Sequence, residues 1–217
     1  TDATIAAEGF YSVTDPVKMA RLLNIKKLPR GLHPSALAIP YMDIDGRNGY
    51  CRLRPDRPRI DARSRKPVKY ESPRTEPNQV YLPTGVANHL QNSGQELAIT
   101  EGEKKAAACN QVGLPCLGLI GVYGWKVKSK ETLLPALEHI AWKGRTVYII
   151  FDSDGAEKEE VREAMLRLAS LLKVRGAIVR CIILPASADG AKVGVDDYLL
   201  AHGFGELRKL IDVAEEA

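Results

Sequence analysis

No C-x-x-C pair occurs anywhere in the chain, and no histidine stands at zinc-ligand spacing beside Cys51, Cys109, Cys116 or Cys181. That scatter argues against a structural zinc and against a disulfide framework. His33, His89, His139 and His202 also lack metal spacing and read as structural or exposed residues. No apolar run approaches the ~20 residues of a membrane-spanning helix, and the N-terminus has no basic-then-apolar signal pattern. The expectation is a soluble, cytoplasmic protein. Neither G-x-G-x-x-G nor G-x-x-x-x-G-K-[ST] is present, and Gly118, Gly121 and Gly124 fit neither pattern, which argues against a dinucleotide fold or a P-loop ATPase. The chain opens on Thr1 in place of Met, as expected of a processed product or of a piece of a longer protein.

What is present is an average globular composition, 45% apolar and 27% charged over 217 residues, enough for one sizeable core or two small ones. The net charge of +4 is unevenly spread. Between Arg47 and Arg74 ten basic residues face only Asp56, Asp61 and Glu71, so this segment carries +7 and the remainder −3. Pro55, Pro58, Pro67 and Pro73 in the same stretch exclude a long helix and favour short strands and loops. Before it, Ala38 to Gly46 and Tyr50 to Arg54 read as a hairpin turning at Asp45-Gly46. Residues 14–24 read as a short helix capped by Thr14 or Asp15, with Pro16 in its first turn.

From about residue 96 the pattern becomes regular α/β alternation. Strands are expected at 97–100, 115–120, 146–151 and 177–184, with helices at 102–112, about 132–142, 161–172 and 198–214. Helical crossovers of this length imply a parallel sheet covered on both faces, with ligands beyond the carboxyl ends of its strands. The expected architecture is therefore two domains: a small basic, strand- and loop-rich α+β region over 1–95, and a Rossmann-like parallel-sheet α/β domain over 96–217.

Three acidic clusters fall at those strand ends: Glu101-Gly-Glu-Lys-Lys105, Asp152-Ser-Asp-Gly155 and Gly194-Val-Asp-Asp197. Adjacent strands are ~4.8 Å apart, so these carboxylates would share a small volume. They would repel unless a divalent cation or shifted pKa values relieved them, and all-oxygen donors favour Mg²⁺, Mn²⁺ or Ca²⁺. A cluster held that way gains stability without metal when its charge is removed. The competing structural readings are acidic residues favouring helix N-termini at Glu101 and Glu103, a simple cap at Asp152, and an N-cap at Asp196-Asp197. Trp125 reads as packing in preference to base stacking. Lys104 and Lys105 stand at a helix N-terminus, where phosphate is favoured.

These motifs resemble the TOPRIM domain of bacterial-type primases, topoisomerases and certain nucleases. Thr100-Glu-Gly-Glu-Lys-Lys-Ala106, Gly121-Val122, Phe151-Asp-Ser-Asp154 and Gly194-Val-Asp-Asp-Tyr-Leu199 are similar to the TOPRIM-like domain of phage- and plasmid-borne primase and primase-helicase proteins. The resemblance implies a TOPRIM-type sheet and a metal-dependent, DNA primase-like nucleotidyltransferase of mobile-element replication. Glu101, Asp152 and Asp154 would be catalytic, and the same three with Asp196 would hold Mg²⁺ or Mn²⁺. Lys104 and Lys105 would take phosphate or nucleotide. Single-stranded DNA would lie on Arg47, Arg52, Arg54, Arg57, Arg59, Arg63, Arg65, Lys66 and Lys69. Nucleotides are the second substrate, and a replicative helicase domain, in the same or another chain, is an expected partner. The alternatives are a TOPRIM-type nuclease and a non-catalytic DNA-binding module.

Overall fold

The computed structural model describes residues 1–43, 46–155 and 158–217. They divide into two compact units, Thr1–Pro77 and Asn78–Ala217.

In the first unit α1 (Asp2–Ala7) leads into β1 (Tyr11–Val13), α2 (Pro16–Leu22), β2 (Ala36–Asp43) and β3 (Gly46–Pro55), then the two-residue strands β4 (Arg59–Ile60) and β5 (Pro67–Val68). The sheet β1-β2-β3 is antiparallel, with a register irregularity between Pro40 and Met42. The expected hairpin is β2-β3. Asp45 of its turn lies outside the described residues. Asp15 caps α2, its carboxylate accepting from the Val17 amide at 2.8 Å, and Pro16 supplies a preset φ without losing a needed N–H. Met19, Leu23, Ala36, Ala38 and Leu53 close a small core.

The second unit carries β6 (Leu97–Glu101), α3 (Glu103–Gln111), β7 (Cys116–Leu119), α4 (Pro135–Glu138), β8 (Thr146–Phe151), α5 (Glu159–Val174), β9 (Ile178–Ile183) and α6 (Val195–Val213). Its four strands are all parallel, in the order β7-β6-β8-β9. The central strands are buried along almost their whole length, as a sheet covered on both faces requires. On α5, Val161, Ala164, Met165, Leu168 and Leu172 fall on the buried face at the spacing the sequence shows. Each such side chain contributes roughly 1.5–3 kcal/mol on burial, less for alanine.

Two expectations are corrected. The division between units falls after Pro77 instead of residue 95, because residues 78–95 pack with the sheet. Val80, Leu82, Val86 and Leu90 join its core, and Tyr81 exchanges backbone hydrogen bonds with Gly118 at 2.8 and 2.9 Å. The helix expected over 132–142 shrinks to α4, for which Leu134, not Thr132, is the N-terminal flanking residue. The Trp142 indole N–H donates to the Leu137 carbonyl at 2.7 Å, capping an oxygen that a continuing helix would have used.

Candidate functional site

The parallel sheet places the ends of β6 and β8 side by side, with Thr100 opposite Ile150. A buried hydrogen bond from the Thr100 hydroxyl to the Ile150 carbonyl, 2.7 Å, ties the two strands at that level. Glu101 and Asp152 follow on adjacent tips. Between Glu101 and α3 the backbone passes through Gly102 at φ 99° and ψ 152°, a conformation open to glycine. That turn starts the helix at once, so Lys104 and Lys105 fall in its first turn. A 3-10 turn at Ser153–Gly155 follows Asp152. The Ser153 amide donates to the Val193 carbonyl at 3.0 Å, and the Val193 amide donates to the Ser153 hydroxyl at 2.9 Å. This reciprocal pair holds the loop after β9 against the end of β8.

The carboxylates meet lysines there. Asp152, 4% exposed, accepts from Lys105 through one oxygen and from Lys192 through the other, the latter at 2.8 Å. Lys192 Nζ is also 3.1 Å from Asp154 Oδ2, which Lys158 approaches to 2.7 Å. A Cβ added to Gly194 would lie 2.6 Å from Lys105 Cε, 2.7 Å from Asp196 Oδ1 and 3.4 Å from Asp152 Oδ1. The three acidic clusters therefore converge on one point, and glycine leaves it open. Asp197 is the capping residue, accepting from the Gly194 amide at 3.4 Å, while Asp196 Oδ1 is buried without a hydrogen-bond partner.

Burial pushes the Glu101 carboxyl above its ordinary value; Lys105 and Lys192 oppose the shift, and Asp152 and Asp154 reinforce it. Burial acts the same way on Asp154, but hydrogen bonds from Lys158 and Lys192 outweigh it and hold that carboxyl low. Lys192 is raised to about 12, since its two carboxylate partners override the cost of burial. The site thus pairs a carboxyl inclined to keep its proton with one held ionised, the separation that acid–base chemistry uses. The donors suit a hard cation: oxygen atoms only, one of them buried and unpartnered. Among the described residues, however, no group of three or more His, Cys, Asp or Glu side chains already stands close enough to hold a metal ion. The ammonium of Lys192 bridges Asp152 and Asp154 instead.

Lys104 is half-buried and makes no ion pair among the described residues, so only Lys105 of the expected phosphate pair is committed to a carboxylate. Lys192 and Lys158 went unseen in the sequence. The signal available for Lys192 was its place two residues before Gly194, in the loop that returns to the strand tips.

In the first unit the basic segment splits. Arg54, Arg57, Arg63, Arg65, Lys66 and Lys69 are exposed. Arg52 is buried, 4.8 Å from the Tyr70 ring centroid and hydrogen-bonded to the Ser72 hydroxyl at 3.1 Å, so it braces the fold and is not an open phosphate contact. Arg59 is held by Glu71 through two hydrogen bonds, 2.6 and 3.1 Å. The Arg47 side chain lies outside what is described. Trp125 is fully buried, as the packing reading expects.

The family model for a domain of unknown function, DUF3854, matches residues 87–206. The chain belongs to the DUF3854 family. An uncharacterized protein of Picosynechococcus sp., SYNPCC7002_B0001, is 28% identical over 183 residues, covering 68% of this chain and 18% of the relative. The chain thus spans less than a fifth of that curated relative. The zinc-binding and RNA polymerase domains of Aquifex aeolicus primase superpose with a TM-score of 0.67 at 17% identity, over 100% of this chain and 54% of that one. The DnaG primase catalytic domain, solved bound to ssDNA, gives 0.66 at 16% identity over 100% and 71%. The DUF3854 chain has the fold of a primase catalytic core.

Proposed function

We propose that this DUF3854 chain is a primase-like, TOPRIM-type module that joins nucleotides on single-stranded DNA with Mg²⁺ or Mn²⁺. The observation that carries the reading is the convergence of Glu101, Asp152, Asp154 and Asp196 with Lys105 and Lys192 at the carboxyl ends of β6 and β8. That arrangement sits within a fold shared with primase catalytic cores. Asp152, Asp154 and Asp196 would hold the divalent ion, which when bound neutralises phosphate charge and activates the attacking hydroxyl. Glu101, with its carboxyl raised by burial, exchanges the proton of the reacting hydroxyl. Lys104, at the start of α3, attracts the incoming triphosphate. The exposed cations Arg54, Arg57, Arg63, Arg65, Lys66 and Lys69 attract the template through its phosphates, without reading bases. A replicative helicase domain, in the same or another chain, is the partner that would deliver single strands.

The lysines bound to Asp152 favour a second reading, a non-catalytic DNA-binding module in which salt bridges replace the metal. Incubation with single-stranded DNA, nucleotides and Mg²⁺ or Mn²⁺ separates the readings. New oligonucleotides lost in Asp152→Asn/Asp154→Asn support nucleotidyl transfer. Shortened DNA makes the chain a nuclease, and metal-independent binding unaffected by that double variant makes it a binding module.

A further inference from the structure

The ammonium of Lys192 comes from the loop after β9 and lies between two carboxylates of the turn after β8, 2.8 Å from Asp152 Oδ2 and 3.1 Å from Asp154 Oδ2. A divalent ion held by Asp152 and Asp154 would need that position. Both cannot occupy it. Lys192 combines contact to both carboxylates with the exposure to leave them. Lys105 is 20% exposed and rooted in α3, whereas Lys192 is 47% exposed and in the loop after β9. Lys158 is 63% exposed but reaches only Asp154, from the start of α5. Of these three lysines, only Lys192 touches both carboxylates.

We propose that Lys192 is a tethered cation that holds the Asp152–Asp154 pair together without metal and competes with the divalent ion for it. This rests on the metal-dependent reading above. When the ion enters, the ammonium is released towards solvent at the mouth of the site. The backbone of its loop stays anchored through Val193 and Ser153, which keeps the freed cation within reach of a phosphate brought in with the ion. Lys192 is thus a positioning residue that sets how much divalent ion the site requires, and it neutralises a charge cluster that would otherwise repel itself in the empty state.

The test is Mn²⁺ binding by the full chain, followed by titration calorimetry and by loss of the free-ion paramagnetic signal, with no nucleotide present. Lys192→Gln should bind Mn²⁺ at least about tenfold more tightly, the effect of removing one charge a few ångströms away, and should melt at a lower temperature without metal. Lys192→Arg, which keeps the cation, should bind no more tightly than the unmodified chain. A purely structural tether would lower the melting temperature in the Gln variant without tightening Mn²⁺ binding, and that result overturns the proposal. If the unmodified chain binds no Mn²⁺ but Lys192→Gln gains a site abolished by Asp152→Asn, the competition is demonstrated in its extreme form. If neither binds, the metal-dependent reading fails along with the inference.

Discussion

Replacing Asp152 by asparagine keeps the side chain's shape and removes its charge, which makes the sign of the stability change a test of the site's electrostatics. An acidic cluster relieved of charge should become more stable. The structure argues the reverse, because Asp152 is 4% exposed and each of its oxygens accepts from a lysine. Leaving one member of a buried pair uncompensated costs ~3–5 kcal/mol, but of the two stranded partners Lys192 is exposed enough to turn towards water, so roughly 1–3 kcal/mol is expected. At about 4 °C per kcal/mol for a unit of this size, the melting temperature should fall by ~4–12 °C. The chain's two tryptophans, Trp125 and Trp142, are both buried in the second unit, so their fluorescence reports that unit selectively. Thermal unfolding followed by tryptophan emission, in chelator to exclude divalent ions, is the assay. An unchanged or raised melting temperature in Asp152→Asn would refute the lysine-neutralised site.

Glu101→Gln should lower turnover by ~10²-fold or more while stabilising the fold at neutral pH, because a carboxyl raised by burial resists ionisation. The native group is most favourable below its unfolded value of ~4.3 and loses stability as pH rises through the folded value. Melting curves at acid and neutral pH should therefore show the glutamine variant's advantage vanishing on acidification. A Cβ at Gly194 would press on side-chain atoms of Lys105, Asp196 and Asp152, so Gly194→Ala should melt somewhat earlier and calorimetry should show weakened Mn²⁺ binding. At Gly124 a Cβ would lie 2.6 Å from backbone atoms of Ile120, and Gly124→Ala should melt markedly earlier. Replacing Arg54, Arg57 and Arg63 by alanine should flatten the log–log salt dependence of single-stranded DNA binding by up to ~2 units, at about 0.7 per phosphate contact. Arg52→Ala should instead destabilise the first unit, seen by circular dichroism, because Arg52 braces Tyr70 and Ser72.

The parallel sheet was legible because its evidence is local. β8 is a continuous apolar, β-branched run, and α5 repeats its apolar face at 3.6-residue spacing, so each states its own burial. Residues 78–95 were misplaced for the converse reason. Val80, Leu82, Val86 and Leu90 follow no sustained period, and only tertiary packing shows that they belong to the second core. The short α4 illustrates the same limit: the indole of Trp142 ends it from outside its own turn.

At the site, the positions of the acids were readable because the crossover rule places them at strand ends whatever their partners. Their charge state was not. The negative ends of β6 and β8 look self-repelling when counted along the chain. In space, Lys105 arrives by helical geometry, Lys158 from the start of α5, and Lys192 by the return of a loop fastened through Ser153. The Lys158–Asp154 contact follows from i,i+4 spacing, but the approach of Lys105 and Lys192 to Asp152 does not follow from sequence spacing. The balance of four carboxylates against three ammonium groups changes what the site asks of a ligand. An uncompensated acid cluster needs a cation before it can fold quietly; this one folds with cations of its own, one of which, in the proposed competition, yields to a metal. On that proposal, the requirement for divalent ion is a difference between two bound cations, which a single lysine substitution would shift without altering any oxygen ligand.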